Sequence, residues 1–223
     1  PSLQPKPTRI NNNLLEGLDY LLDELAKRKM KAILCLGNFW PWSGGMAQYV
    51  NWITQEPIPY PPPAINGNWA TYQLYTSKFY SLPKAIDLYH KFVSQLVSRV
   101  ITIKEIPYTH DPTIMAWQLA NDPRAILKRK AYRKWIEQTA TLIRGLDSNH
   151  LISLGSEGAT SSAWSGNRFK KDHQLAGISY STIHLWVQNW GWFDPLKAQR
   201  TYEQAKAKAF SYIPTSIRDR YFI

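Results

Sequence analysis

The residues best suited to chemistry stand in the run TIMAWQLANDPR, residues 113–124. Residues 114–119 are almost wholly apolar, the composition of a short strand buried on both faces. Asn121 and Asp122 follow directly, and Pro123 ends the strand because it has no N–H to give to a ladder. An amide and a carboxylate at the end of a buried strand can bind a polar ligand and move a proton. In parallel α/β folds, chemistry sits at such ends. The same residues would also serve as a polar cap for the next helix, and spacing alone does not choose between the two readings.

Further strand ends carry groups of the same kind. Residues 31–36 (KAILCL) lead to Asn38, Phe39 and Trp40. Residues 151–154 lead to Ser156 and Glu157, and residues 177–183 (GISYSTI) lead to His184 and Trp186. Bland readings stand beside these: His184 as a satisfied core histidine, Glu157 as a cap, the aromatics as padding. Ten tryptophans are many for 223 residues, and Trp40, Trp42, Trp186, Trp190 and Trp192 fall in segments that read as loops. Large rings in loops need something to pack on or to bind. Flat apolar faces with polar edges suit sugar rings.

The elements that must hold these ends follow from periodicity. Leu14, Leu18, Leu21, Leu22 and Leu25 recur at helical spacing and predict a helix over 13–29, with Asn13 and Glu16 spaced as a capping box. Residues 42–67, rich in Pro and Gly, read as a long loop. Pro83 suits a first helical position, and the apolar spacing after it predicts a helix to about 103. Ala131, Trp135, Thr139, Leu142, Ile143 and Leu146 mark another helix, and a last one is expected over 198–212. Strands alternating with helices predict one α/β domain over 1–223, a parallel sheet with right-handed crossovers. Its expected strands are 31–36, 114–119, 151–154 and 178–183.

Composition narrows the partners. The net charge is +11, yet the basic residues are scattered apart from KRKAYRK (128–134) and RFKK (168–171). The first run reads as the solvated face of a helix, no nucleic-acid motif accompanies it, and no nucleic-acid partner is expected. Cys35 is the only cysteine, so no internal disulfide can form, and its apolar strand predicts an inert core thiol. No run of eighteen apolar residues is present and no membrane span is expected. No signal-peptide pattern opens the chain, and Pro1 is not a natural start, so the chain reads as beginning inside a longer protein.

Four stretches, LGNFWPWSGGMAQYVNW, DPTIMAWQLANDPR, LDSNHLISLGSEG and IHLWVQNWGWFDP, together resemble the endo-β-1,4-mannanases of glycoside hydrolase family 5. The likeness runs from about Leu14 to about Tyr212. It implies a (β/α)8 TIM barrel with its site at the carboxyl ends of the strands. It implies retaining hydrolysis of internal β-1,4-mannosidic bonds of mannan or a related polysaccharide, without a cofactor or metal, in a secreted or periplasmic setting. By resemblance, Asp122 takes the acid/base position, Asn121 meets the sugar 2-OH, and His184 and Trp186 line the cleaved bond. Trp40 would be a stacking wall, with Asn38, Glu157, Trp190 and Trp192 as further substrate-binding positions.

Two departures bear on activity. The family has Glu where this chain has Asp122. The family's nucleophile, a Glu after the seventh strand, has no counterpart here, nor do the first two strands and an arginine near the nucleophile. A retaining glycosidase needs two carboxyls about 5 Å apart. Glu157 follows the strand next to that of Asp122, whereas the nucleophile comes from across the barrel. The expectation is therefore about four of eight strands, an impaired or inactive β-mannanase-type hydrolase, and open sheet edges that invite self-association. The alternative is a noncatalytic glycan-binding protein that keeps the aromatic platform; a basic scaffold for polyanions stands third.

Overall fold

The computed structural model describes residues 2–158 and 163–217. Three parallel strands, β1 (Ala32–Cys35), β2 (Ile114–Gln118) and β3 (Leu151–Ser153), lie side by side in chain order. The chain crosses from β1 to β2 through α2 (Gly45–Thr54), α3 (Trp69–Ser77) and α4 (Pro83–Val97), and from β2 to β3 through α5 (Arg129–Leu146). Before the sheet comes α1 (Asn12–Lys27); after it come a short α6 (Phe169–His173) and α7 (Ala198–Ile217). The parallel order follows the expectation, because strands separated by helical crossovers cannot pair as hairpins.

One face of the sheet is covered. Leu34, Trp117 and Ile152 stand next to each other in register, and Trp117 and Ile152 are fully buried. The Trp117 indole N–H donates to Asp147 Oδ2 at 2.7 Å, just past the end of α5, which satisfies a polar group that burial would otherwise strand. Between α4 and α5, Phe79, Tyr89, Tyr132 and Trp135 form a buried aromatic block. The other face is open. Ile33 and Leu151 are exposed there, and so is Cys35, which corrects its reading as a core thiol. An apolar strand run marks burial only when both faces of its sheet are covered. Cys35 Sγ accepts from Gln118 Nε2 at 3.4 Å and donates to the Gly37 carbonyl at 3.2 Å.

Three further expectations change. Residues 42–67 are not one loop: α2 occupies ten of them and buries Met46, Ala47, Tyr49 and Val50. Gly45 starts it with φ +57, where a Cβ would lie 2.4 Å from the Asn38 carbonyl oxygen, so only glycine turns the chain there. The capping box does not form, because α1 starts at Asn12 and Asn13 is already inside its first turn; Asn11 is the N-cap and makes no side-chain capping bond. The helix from Pro83 stops at Val97 rather than near 103, since the Ile101 N–H turns to the Ile106 carbonyl at 2.8 Å and buries Ile101 in a tight loop.

The fourth expected strand shrinks to a single parallel bridge, Ser153 with Tyr180. Side chains take the place of a ladder. The Ile152 N–H donates to Ser179 Oγ at 2.9 Å, and Thr182 Oγ1 donates to the Ser156 carbonyl at 2.8 Å. The Ser179 N–H to the Ile152 carbonyl, at 2.7 Å, is an ordinary rung. The segment still runs beside β3 and carries His184 to the same end of the sheet, where the His184 N–H donates to the Glu157 carbonyl at 3.0 Å.

Candidate active site

The site is assembled by continuing the sheet a few residues beyond its strands. Asn38 and Asn121 pair in parallel, with Asn121 N–H on the Gly37 carbonyl at 2.9 Å and Phe39 N–H on the Asn121 carbonyl at 3.1 Å. That pairing brings Trp40 alongside Asp122. Asp122 itself has φ +47, a left-handed turn that Asp tolerates better than most residues. Its N–H donates to the Gly155 carbonyl at 2.9 Å. Gly155 has φ +80, and a Cβ there would sit 1.8 Å from the Ala120 carbonyl oxygen, so the close approach of the two strand ends requires glycine.

The Asp122 carboxylate is 7% exposed and is held from several sides. Oδ2 accepts from the Trp40 indole N–H and from Asn121 Nδ2, each at 3.2 Å. Oδ1 lies 2.5 Å from His184 Nδ1. The carboxylate raises the His184 pKa above the ordinary imidazole value, and partial burial only partly offsets this. A carboxyl 2.5 Å from an imidazole, at the open end of a parallel sheet, is a pair fit for proton transfer.

Glu157 is placed differently. Both of its oxygens face Arg124, with Nε at 2.6 Å and Nη2 at 3.0 Å, a two-pronged pair. Arg124 Nη1 donates to Gln73 Oε1 at 3.0 Å, and its guanidinium lies 4.9 Å from the centre of the Trp40 ring. Glu157 is buried and answered by a cation, so it braces the site and is not a free carboxylate. Sequence reasoning passed over Arg124 and Gln73. A signal for Arg124 was present, since a guanidinium two residues past Asp122 must find a carboxylate or water, and Glu157 ends the neighbouring strand.

Asn38 turns its side chain onto its own loop, where Oδ1 accepts the Trp40 N–H at 3.0 Å. Trp186 stands 52% exposed beyond His184. Trp190 and Trp192 pack on each other at 4.8 Å and on Tyr212 of α7 at 5.3 and 6.1 Å. Tyr212 Oη donates to the Glu157 carbonyl at 2.6 Å, so these rings tie α7 to the end of β3. Among the described residues, no group of three or more His, Cys, Asp or Glu side chains could hold a metal ion, and no helix is long and apolar enough to cross a membrane.

Residues 1–219 match the family described as GH family 5 beta-mannosidase-like. The chain belongs to this family. The mannan endo-1,4-beta-mannosidase 4 of Solanum lycopersicum is 31% identical over 199 residues, covering 84% of this chain and 47% of that protein. Mannan endo-1,4-beta-mannosidase 8 of Oryza sativa is 30% identical over 206 residues, covering 85% and 52%. Among solved structures, the glycoside hydrolase family 5 mannosidase of Rhizomucor miehei superposes with a TM-score of 0.86 at 34% identity, over 98% of this chain and 51% of that one. The endo-beta-1,4-mannanase of Thermotoga petrophila gives 0.68 at 27%, over 88% and 42%. The chain thus spans about half the length of these glycosidases, and its open parallel sheet is part of a TIM-barrel fold.

Proposed function

We propose that this chain carries the acid/base side of a retaining glycosidase site for internal β-1,4-mannosidic bonds, with Asp122 as the acid/base carboxylate. The observation that carries this reading is the Asp122–His184 pair at 2.5 Å, at a parallel strand end of a family 5 chain. Asn121 would meet the sugar beside the cleaved bond, and Trp186, Asn38 and the Trp40 loop would border the cleft. Relatives named as mannan endo-1,4-beta-mannosidases and a family structure solved with mannosyl-fructose support a mannose-containing substrate. A polysaccharide does not cross a membrane unaided, which argues for a secreted or periplasmic setting.

These 223 residues alone are not expected to hydrolyse mannan. The second carboxylate near the pair, Glu157, is spent on Arg124, so among the described residues it is not free to form a glycosyl-enzyme intermediate. For the isolated chain, that observation favours the noncatalytic reading, glycan binding without turnover. Asp122 is also one methylene shorter than the family's Glu, which withdraws its oxygen by about 1.5 Å. A misplacement of about 1 Å can cost on the order of 100-fold in rate.

The test joins this chain to the remaining strands of a relative, including their nucleophile. Slow release of reducing sugar from mannan is expected, and Asp122→Glu on that background should raise it by roughly 100-fold. Equal rates with Asp and Glu would overturn the acid/base assignment. Reducing sugar released by the isolated chain would overturn the argument from Glu157.

A further inference from the structure

The glycan reading gives the sugar-stacking role to Trp40, but that ring is already engaged. Arg124 lies over it at 4.9 Å, Phe39 and Trp69 meet it edge-to-face at 5.4 and 5.7 Å, and its N–H is committed to Asp122. The open ring is its neighbour. Trp42 is 66% exposed and Trp69 38%. Their centres are 5.9 Å apart, and Trp42 lies 6.3 Å from Trp40 at a 30° tilt.

This exposed indole stands on a stiff support. Trp42 is the middle residue of a 3-10 turn, Pro41–Ser43, closed by the Gly44 N–H on the Pro41 carbonyl at 3.3 Å. The Met46 N–H donates to the Asn38 carbonyl at 2.9 Å, and glycine at 45 locks the exit. Trp69 opens α3, whose start is capped by Asn68 Oδ1 on the Thr71 N–H at 3.0 Å. A large apolar ring held in water on a fixed turn, beside a cleft, has the form of a binding surface kept ready.

We propose that Trp42, backed by Trp69, is a sugar-stacking subsite one ring further from Asp122 than Trp40. Its ligand is a pyranose unit of a β-1,4-linked mannosyl chain, whose C–H face would lie on the indole while its hydroxyls stay in water. This inference rests on the glycan reading of the Asp122 site.

The test is an NMR titration of the full chain, 15N-labelled at its indoles, with β-1,4-mannohexaose. The Trp40 and Trp42 indole signals are expected to shift together. Trp42→Ala should weaken binding roughly 5- to 10-fold, while Trp42→Phe keeps most of it. Trp40 shifting alone, with Trp42→Ala binding as tightly as the parent, would overturn the subsite and leave the glycan reading standing. No indole shift at all would overturn both.

Discussion

Asp122 Oδ1 and His184 Nδ1 lie 2.5 Å apart, although each comes from a different parallel segment of the sheet. The pair has a pH signature. Asp122 raises the His184 pKa above its ordinary value, about 6.5. A base whose pKa is raised by folding contributes stability that is fully present below the unfolded value and lost as pH rises through the folded one. Asp122→Asn removes the anion but not the partial burial, so the His184 titration is expected to fall to its ordinary value or below. NMR of the His184 ring protons against pH measures this, and an unchanged midpoint would show that the imidazole does not sense this carboxylate.

Arg124→Ala is expected to destabilise the fold by about 3 kcal/mol or more, because it strands the buried Glu157 carboxylate. Arg124→Lys should recover only part, since an ammonium cannot reproduce the two-pronged contact or lie flat on Trp40. Adding Glu157→Gln to Arg124→Ala should restore much of the loss. Denaturant midpoints of the parent, Arg124→Ala, Glu157→Gln and the double variant form the cycle; additive losses would mean that the pair is not coupled.

Asp19 pins α1 to the loop after α4. It is fully buried and accepts from Arg99 at 2.9 and 2.6 Å, from the Tyr108 hydroxyl at 2.6 Å and from Thr102 at 3.0 Å. Burial alone would raise its pKa, but these donors outweigh burial and hold it below the ordinary carboxylate value. The stability it contributes is therefore present above the unfolded pKa, about 3.9, and lost as pH falls through the lower folded value. Asp19→Ala is expected to cost about 3 kcal/mol at neutral pH and much less in strong acid. Urea unfolding at several pH values tests it; a penalty independent of pH would point to packing and not charge.

Asp172 runs the other way. Burial in α6 raises its pKa to about 6, against the pull of the Arg168 N–H at 2.7 Å and of nearby arginines. A carboxylate raised by folding favours the native state most below its unfolded pKa, and stability falls as pH climbs from about 4 to about 6. Asp172→Asn keeps an acceptor for the Arg168 N–H and is expected to flatten that slope. Thermal midpoints at pH 4 and 7 for parent and variant give the comparison, and identical slopes would refute it.

Local pattern was enough for much of this protein. The apolar runs of β1, β2 and β3, the helical spacing of α1, α4 and α5, and the order in which they alternate imply a parallel sheet with one chemically equipped end. The placement of Asn121, Asp122 and His184 at one end of the sheet was legible because a residue's position past a strand is a local property. Charge pairing and ring coverage are not. Whether Glu157 is free depends on Arg124, and whether Trp40 is open depends on Arg124, Phe39 and Trp69. Those contacts join different strand ends and a helix, so no periodicity records them. The exposure of Cys35, the helix hidden in residues 45–54 and the hydroxyl bonds that replace a fourth ladder belong to the same class. Each depends on what the folded chain sets against a given backbone or side chain, and only the tertiary packing makes that choice.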